Sequence, residues 1–397
     1  MFFKEATSNH DQVIKWRRHL HQNPELSHEE RQTQQFVCDT LDEAGIAYEV
    51  MQKSYGVIGM IKGEHPGKTV ALRADMDALP IEEKNDVPYR STKERIMHAC
   101  GHDAHTAMLL GAGVALQKRK NEIAGTVLLL FQPAEEDAPI GGAQAMMEDP
   151  TFLEYEPDVV FGQHVWPDLP VGQIGVRAGA MMGNSDRFSI VINGKAGHAS
   201  MPHQAVDAIV VANQLMSSLQ TIVSRNIDPL DSAVITVGKI SGGDRYNVVA
   251  SEVTLEGTVR TFSLDVRERV EKRLTQLAEQ VAEAMGARGS VHYQKGYVAT
   301  QNTEKWAEHV KQQARTLFGE HGAPDVNPSL AGEDFGRFLQ HYPGAYFWLG
   351  TAIKERPVQS PLHDSTFDID EEALVYGVNI MATTAVTALH QVNREGN

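Results

Sequence analysis

A cluster of three histidines, one cysteine and one aspartate within eight residues is the strongest chemical signal in this sequence. The run His98-Ala99-Cys100-Gly101-His102-Asp103-Ala104-His105 offers imidazole and thiolate groups, which are good ligands for zinc and similar ions. Gly101 allows the chain to turn so that Cys100 and His102 can face one point. Not all three histidines can be ligands, so we expect His98 and His105 to support the site or to pack around it.

Two acidic motifs follow predicted strands and could serve the same site. In Arg73-Ala74-Asp75-Met76-Asp77, two carboxylates could ligate a metal or orient a residue that does. In Phe131-Gln132-Pro133-Ala134-Glu135-Glu136-Asp137, one glutamate could bind metal while its neighbour accepts a proton from the activated water. Taken alone, the first motif is more typical of a strand end with solvated acids, and the second is also compatible with an acidic helix start.

Two isolated histidines complete the set of candidate ligands. His164 follows an apolar run, and His363 lies in a loop before the last predicted helix. A single histidine in such a place is more often structural than a ligand. However, ligands of open α/β sheets bind at the carboxyl ends of the strands, where distant segments converge. Cys100, the histidines 102, 164 and 363, and one glutamate would suit two ions that share a water molecule.

The elements that position these motifs alternate between short apolar strands and helices in the N-terminal third. The predicted strands are Val57–Ile61, Thr69–Leu72, Thr126–Phe131 and Val159–Phe161. This pattern predicts an α/β fold whose largely parallel sheet is flanked by helices. Ser27 and Glu30 form a candidate capping box for a helix that ends near Gly45.

The middle of the chain has a different order of elements, β-α-β-β-α-β, which is that of a ferredoxin-like unit. The predicted elements are Phe188–Ile192, Ala205–Val223, Ala233–Ile240, Val253–Thr261, Leu264–Met285 and Ser290–Tyr293. We therefore expect an inserted α+β domain over 182–295, within a catalytic domain formed by residues 1–181 and 296–397.

Composition narrows the possible partners and the compartment. The chain has 397 residues and a formal net charge of -16, which gives it no electrostatic reason to bind nucleic acid or an anionic membrane. Only Cys38 and Cys100 are present, and the N-terminal sequence has no apolar region of a signal peptide. We expect no transmembrane segment and a cytoplasmic location.

These motifs, in this order, resemble the amidohydrolase branch of the M20 metallopeptidase family. The branch includes hippurate hydrolases, N-acyl-amino-acid amidohydrolases and plant auxin-conjugate hydrolases. Three further segments match it: Arg17-Arg18-His19-Leu20-His21-Gln22-Asn23-Pro24-Glu25-Leu26, Gly194-Lys195-Ala196-Gly197-His198-Ala199-Ser200 and Ala331-Gly332-Glu333-Asp334-Phe335. The resemblance covers nearly the whole chain and implies cleavage of the amide bond of N-acyl amino acids.

The resemblance also implies roles for individual residues. It implies two divalent metal ions per subunit, Zn²⁺ or Mn²⁺ with Co²⁺ or Ni²⁺ as possibilities, and Glu135 as the general base. It implies that the inserted domain is a lid that forms a homodimer, through which His198 reaches the partner's active site and stabilises the oxyanion. The implied metal ligands are Cys100, His102, Glu136, His164 and His363, and the implied substrate contacts are Asn247, Arg260 and Glu333.

Three other functions compete with this one. Within the family, the protein could be a dipeptidase or carboxypeptidase. Cys100 could instead be the nucleophile of a thiol hydrolase with His102 or His198 as base, although this leaves the paired carboxylates unexplained. The fold could also serve as a non-catalytic metal-binding protein. The acyl group, the preferred amino acid, the native metal and any assembly beyond a dimer do not follow from the sequence.

Overall fold

The computed structural model describes residues 2–395 and divides the chain into two compact units. The first unit comprises the chain up to Met181, then Thr300–Pro328, and then the chain from Asp334 onward. The second unit comprises Met182–Ala299 and Ser329–Glu333. The inserted unit thus includes residues 296–299 and the segment Ser329–Glu333, both of which the sequence had assigned to the catalytic domain.

The first unit is built on a seven-stranded sheet whose central strands are parallel. Strands Ala124–Gln132, His65–Asp75, Val159–Pro170 and Gly344–Ala352 pair in parallel, in that spatial order. The outer pairings are antiparallel, so the sheet is mixed at its edges. From one edge to the other the strands are Ala47–Val50, Val57–Lys62, Ala124–Gln132, His65–Asp75, Val159–Pro170, Gly344–Ala352 and Ile174–Gly175.

Helices flank this sheet, and most of them contribute apolar residues to one hydrophobic core. They are Phe3–Ser8, His10–Gln22, Arg31–Glu43, His102–Lys118, Ala143–Met147, Pro150–Glu154, Glu304–Phe318, Gly336–His341 and Ala373–Glu395, with 3-10 turns at Lys120–Glu122 and Glu320–Gly322. The last long helix has the length and composition of a membrane span, but 78% of its most apolar window is buried inside the fold. Its apolar residues belong to the core cluster, which accounts for its composition.

The predicted capping box at Ser27 and Glu30 was wrong. The helix begins at Arg31, and Glu30 occupies its N-cap without a side-chain capping hydrogen bond. The Ser27 hydroxyl instead donates to the carboxylate of Asp77 at 2.6 Å, and the Glu30 carboxylate accepts from the backbone N–H of Ala134 at 2.8 Å. Tertiary partners therefore took both side chains that the local pattern assigned to a cap.

The second unit has the predicted β-α-β-β-α-β order. Its four antiparallel strands are arranged, in chain order of the strands, as 4-1-3-2 across the sheet, which is the ferredoxin-like arrangement. Asp207 and Ser263 cap its two helices through their side chains. The elements are Asn184–Asn193, Ala208–Asn226, Ala233–Gly242, Glu252–Thr261, Leu264–Ala284 and Arg288–Tyr297, with short strands Gly197–His198 and Val248–Val249 and a 3-10 turn Pro202–Gln204. Two short strands, Gly179–Met182 and Thr300–Asn302, form a separate two-stranded sheet, and all their residues except Met182 belong to the first unit.

Candidate metal centre

A glycine-dependent turn orients two of the candidate ligands of the first unit, Cys100 and His102. Gly101 has a φ of 84° and stands as the N-cap of helix His102–Lys118, between Cys100 and His102. A side chain at this position would place its Cβ 2.4 Å from a methyl carbon of Val165. Both the left-handed backbone and the close approach therefore require glycine. The turn directs Cys100 and His102 toward the end of the strand that carries His164.

The structure brings all five predicted ligands into two overlapping groups. One donor atom each from Cys100, His102 and His164 lie within 4.8 Å of one another, and so do donor atoms of Cys100, Glu136 and His363. The Cys100 Sγ lies 3.4 Å from Nε2 of His164 and 3.3 Å from Nε2 of His363. Cys100 thus belongs to both groups, as expected of a shared site for two ions.

In His102 and His164, hydrogen bonds fix which ring nitrogen is free to act as a ligand. Nδ1 of His102 donates to the backbone carbonyl of Asp77 at 2.8 Å, and Nδ1 of His164 donates to the carbonyl of Val165 at 2.7 Å. In both residues this leaves Nε2 unprotonated when the imidazole is neutral. A ligand histidine whose other nitrogen donates to a carbonyl is the usual arrangement at protein metal sites.

Two other buried histidines, His98 and His105, were predicted to support the site rather than to bind metal, although donor atoms of His105, His102 and Asp75 also lie within 4.8 Å of one another. Nδ1 of His105 donates to Asp75 at 2.6 Å, and its Nε2 accepts from the backbone N–H of Val165 at 2.8 Å, so both nitrogens are engaged. His98 is buried, and burial lowers its pKa to about 4. His105 therefore supports the strand of His164, and His98 packs nearby as a neutral ring.

Asp77 organises the loop that carries the paired glutamates. Its two carboxylate oxygens accept from the backbone N–H groups of Glu135 at 3.0 Å and Glu136 at 2.9 Å, besides the hydroxyl of Ser27. Its Oδ1 also lies 3.3 Å from Nδ1 of His102. The Asp77 carboxylate therefore contacts the backbone of the candidate base Glu135, the backbone of the candidate ligand Glu136 and the ring of the candidate ligand His102.

Glu135 is the buried member of the glutamate pair, and its position is strongly constrained. The preceding residue, Ala134, has a φ of 57°, which is a strained conformation for a residue with a side chain. The Glu135 Oε1 accepts from the backbone N–H of Asp334 at 3.3 Å. Its carboxylate lies in one group with Glu136 and His102, whose donor atoms are within 4.8 Å of one another. This is where a general base beside the ions would need to be.

The electrostatics of the centre favour a cation. Burial raises the pKa of the Cys100 thiol, and the nearby carboxylates of Glu136 and Glu135 raise it further. Burial lowers the pKa of His102, but the carboxylates of Asp75 and Asp77 outweigh this and raise it to about 10. In each case clustered negative charge opposes a thiolate and retains a proton. A divalent ion would reverse both effects.

The donor atoms around His102 also fit a metal ion. Among the described residues 2–395, Nε2 of His102 is buried without a hydrogen-bond partner. It lies 3.8 Å from Oδ1 of Asp75 and 4.0 Å from Oε1 of Glu136. A buried polar atom without a partner is costly, and the surrounding thiol, imidazole and carboxylate groups are a donor set that zinc accepts.

The other predicted site residues lie in the second unit. His198 is exposed, and its Nδ1 accepts from the backbone N–H of Ser200 at 3.1 Å, with the Ser200 hydroxyl at 2.7 Å. Because an amide N–H can only donate, Nε2 of neutral His198 carries the proton and is a hydrogen-bond donor. Asn247 is exposed, and its carbonyl accepts from the N–H of Ala199, next to His198. Arg260 donates to the Ser185 hydroxyl, and Glu333 ends the segment Ser329–Glu333.

The sequence reasoning missed two networks that hold the site from outside. In the first, Arg73 donates to Gln132, Asp75 and Asp334, and the Asp334 carboxylate also accepts from Gln132 and the N–H of Ala143. In the second, Arg17 and His21 bind Asp103. The available signal was Arg17 and His21, polar residues four apart, on a helix whose buried residues also include Val13 and Leu20.

The fold and these contacts together define a class of site. Candidate thiol, imidazole and carboxylate ligands lie beside a further buried carboxylate, close to the parallel strands of the sheet. This arrangement is that of a hydrolytic centre for two cations.

Comparison with known proteins identifies the family. Peptidase family M20/M25/M40 matches residues 71–387, and the chain belongs to this family of hydrolases. The chain is 44% identical to N-acetyl-L-cysteine deacetylase of Bacillus subtilis strain 168, over 92% of this chain and 85% of that protein. It is 39% identical to thermostable carboxypeptidase 2 of Saccharolobus solfataricus, over 95% of both chains. The family resemblance inferred from the motifs is thus confirmed.

A solved structure supports the same assignment. The crystal structure of the Bacillus subtilis YXEP protein, described as a dinuclear metal binding peptidase from the M20 family, matches with a TM-score of 0.84 and 35% identity. The match covers 97% of this chain and 99% of that protein. The α/β fold class predicted from the sequence is therefore confirmed over nearly the whole chain.

Proposed function

We propose that this protein is an amidohydrolase that cleaves N-acyl amino acids to a carboxylic acid and a free amino acid. The observation that carries the proposal is the convergence of Cys100, His102, Glu136, His164 and His363 beside the buried carboxylate of Glu135. The 44% identical relative is named for the deacetylation of N-acetyl-L-cysteine, a reaction of this class.

The residues of this chain have defined tasks in the proposed reaction. A pair of divalent cations, when bound, polarises the acyl carbonyl and lowers the pKa of the attacking water. Glu135 accepts the proton of that water and delivers it to the leaving amine, since the Asp77 and Asp334 contacts hold its segment beside the ligands. His198 donates its Nε2 proton as a hydrogen bond to the developing oxyanion.

The direct test is release of free amino acid from a panel of N-acetyl and N-benzoyl amino acids. We expect release to stop when a chelator removes the metal and to return when Zn²⁺ or Mn²⁺ is added. Glu135→Gln should retain the metal, because Glu135 is not a proposed ligand, but should lose turnover by roughly 100-fold or more. Near-normal turnover in this variant would refute the assigned base. Turnover that is indifferent to chelation would instead favour Cys100 as the nucleophile of a thiol hydrolase.

Carboxypeptidase activity is the second candidate, favoured by the 39% identity to thermostable carboxypeptidase 2. Dipeptides and N-acylated dipeptides therefore belong in the same panel. A higher kcat/KM for dipeptides than for every N-acyl amino acid would replace the first proposal with this one. Metal binding without turnover of any substrate would leave a non-catalytic metal-binding protein.

We propose zinc or manganese as the native metal, with cobalt or nickel as substitutes. The thiol of Cys100 favours zinc, whereas the imidazole and carboxylate ligands also accept the other ions. Metal analysis of protein isolated without added metal gives the identity. Activity after reconstitution with each ion then tests whether the bound ion is also the effective one.

We further propose that the second unit forms a homodimer and acts as a lid. Its strand Ala233–Gly242 is at the edge of the four-stranded sheet and exposes Val234 and Ile240, while helix Ala208–Asn226 exposes Ile209 and Val210. An unpaired edge beside exposed apolar side chains is a surface that a second copy can cover. Light scattering should give a dimer, and Ile240→Lys should shift it to a monomer. An unchanged mass in that variant would place the interface elsewhere.

The role of His198 in a partner subunit has its own test. We expect Glu135→Gln and His198→Ala each to lose most activity as homodimers. Mixed dimers of the two variants should regain part of it, because one site in each mixed dimer would have an intact Glu135 and an intact His198 from the partner. No recovery in demonstrated mixed dimers would contradict action across the dimer.

A cytoplasmic location stays a prediction.

A further inference from the structure

Arg17 is fully buried and binds three carboxylates that come from two distant segments of the first unit. Its Nε donates to Asp103 at 2.8 Å, its Nη2 to Asp368 at 2.9 Å and its Nη1 to Glu371 at 3.2 Å. Its guanidinium carbon also lies 4.7 Å from the centre of the Tyr89 ring. A guanidinium can bind several carboxylates at once because its donors form a rigid planar fork, which an ammonium group does not have.

Two of these carboxylates belong to segments that carry proposed metal ligands. Asp103 directly follows His102 in the first turn of its helix. Asp368 lies in the loop between strand Gly344–Ala352 and the last helix, and the same loop carries His363. Arg17 therefore links the segment of His102 to the segment of His363 through one side chain.

His21, one helical turn after Arg17, makes a second link between the same segments. Its Nδ1 donates to Asp103 at 2.8 Å and its Nε2 to Glu83 at 3.1 Å. The Glu83 carboxylate accepts from Asn85 at 3.2 Å, and Asn85 also donates to the backbone carbonyl of Phe367 at 2.9 Å. The His363 loop is thus held at two adjacent residues, at Asp368 by Arg17 and at Phe367 by the chain of contacts from His21.

The ligand that needs such a restraint is His363. Its side chain is 52% exposed, and its backbone has a φ of 67°, which is strained for a residue with a side chain. It lies in a loop, whereas His102 and His164 lie in a helix and a strand. The position of a loop ligand depends on the contacts that anchor the loop, and Asp368 supplies one of them.

We propose that Arg17, supported by His21, is a positioning residue that fixes the distance between the ligand segments of His102 and His363 and thereby sets the affinity for divalent cations. The proposal rests on the function proposed above, because it concerns the same cation site. Arg17 contacts neighbours of the ligands in the chain, so it acts on metal affinity through them. It also assigns a function to the Arg-Arg-His-Leu-His motif, which the mechanism leaves unused.

The test compares Arg17→Met with Arg18→Met as a matched control. Arg18 shares Glu371 and the Tyr89 ring with Arg17, but it is 44% exposed and its guanidinium donates to Glu371 rather than to Asp103 or Asp368. Zn²⁺ affinity of the metal-depleted protein is measured by competition with a chromophoric chelator. We expect Arg17→Met to weaken at least one Zn²⁺ equivalent by ~10–100-fold, the usual effect of losing a residue that orients a ligand. Arg18→Met should stay within roughly threefold, as expected of an exposed ion pair.

Two further measurements separate positioning from a purely structural role. Urea unfolding of the metal-free proteins gives the loss of stability by itself. With Co²⁺ in place of Zn²⁺, the absorption band of the Cys100 thiolate reports the geometry of the site directly, and it should change in Arg17→Met. If Arg17→Met loses stability but binds Zn²⁺ as tightly as the unsubstituted chain with an unchanged Co²⁺ spectrum, the inference is wrong.

Asp368→Asn covers the case in which Arg17→Met does not fold. This variant keeps the pairing of Arg17 with Asp103 but removes the charge of Asp368, which accepts from Arg17 and from the Tyr89 hydroxyl, so we expect Zn²⁺ affinity to fall about tenfold. An affinity equal to that of the unsubstituted chain would overturn the proposal. Failure of the unsubstituted chain itself to bind Zn²⁺ would be a different result, because it would refute the proposed metal function.

Discussion

Replacing Asp77 with asparagine tests whether one carboxylate holds the catalytic segments together. The Asp77 carboxylate accepts from the backbone N–H groups of Glu135 and Glu136, one on each oxygen, and from the Ser27 hydroxyl. Asparagine offers one oxygen and one NH₂ group, so one of the two buried N–H groups must face another donor in either orientation. Hydrogen bonds to a charged group contribute ~1.5–3 kcal/mol each, so we expect the metal-free protein to lose about 3 kcal/mol of stability.

The effect on activity should exceed the effect on stability. The amide that loses its partner belongs to Glu135 or Glu136, so the proposed base or its neighbouring ligand will shift. A displacement of about 1 Å in a catalytic group commonly costs about 100-fold in rate, which is the loss of kcat/KM that we expect on an N-acetyl amino acid. Urea unfolding of the metal-free protein and steady-state kinetics of the metal-loaded protein measure the two effects separately.

Ser27→Ala is the matched control for this prediction. It removes one of the bonds to Asp77 but leaves both backbone N–H groups paired, so we expect a stability loss of only about 1 kcal/mol and a small change in kcat/KM. The reasoning would be refuted if Asp77→Asn kept its kcat/KM within a few-fold of the unsubstituted chain. It would also be refuted if the two variants lost activity equally.

Three more predictions concern stability. Burial raises the pKa of Glu30 from 4.5 to about 7, so the folded state holds this proton more tightly and loses stability as pH rises through that window. Glu30→Gln should therefore gain ~3 kcal/mol relative to the unsubstituted chain between pH 4 and pH 8 in urea unfolding, and a pH-independent difference would contradict it. Gly101→Ala should lower the free energy of unfolding more than Gly45→Ala does, because both glycines have a left-handed backbone but only Gly101 would clash, with Val165. We expect a loss of ~1–2 kcal/mol for Gly45→Ala and at least ~2 kcal/mol more for Gly101→Ala. Equal losses in the two variants would refute the clash. Arg267→Met leaves the buried Asp186 without its cationic partner and should lower the stability by ~3–5 kcal/mol in thermal unfolding. The control Lys295→Met breaks a more exposed ion pair and should lower the stability by less than ~1 kcal/mol. Similar losses in both variants would contradict this prediction.

The local sequence predicted the elements well where burial dominates. The apolar runs 126–131 and 159–161 lie in central strands that are buried over most of their length, and the regular helix 264–284 follows its amphipathic pattern closely. Cys100 and His102 could be proposed as ligands from the sequence because thiol and imidazole groups clustered around one glycine are rare as surface features. In the strands and the helix, burial alone decides the residue types, and in the ligand cluster metal binding does. Each pattern can therefore be recognised from its own segment of the sequence.

The supporting contacts could not be predicted in the same way. Ser27 and Glu30 have the spacing of a capping box, but Asp77 and Ala134, distant in the chain, bind them instead. Likewise, nothing near Asp103 in the chain indicates that Arg17 and His21 share one of its oxygens. Such hydrogen bonds depend on which strand ends and loops meet after folding, and that information is not contained in local periodicity.

The position of strand Gly344–Ala352 has a consequence for the order of events during synthesis. The strand is inserted between Val159–Pro170 and Ile174–Gly175, although the chain places the whole 182–299 segment before it. On the ribosome, the edge of Val159–Pro170 therefore stays open while more than a hundred further residues emerge, a stage at which a nascent chain is exposed to wrong pairing. His363 emerges later still, so the proposed cation site can close only after this segment has been made, and bound ions would then hold it to the segments of Cys100 and His164, which were made much earlier.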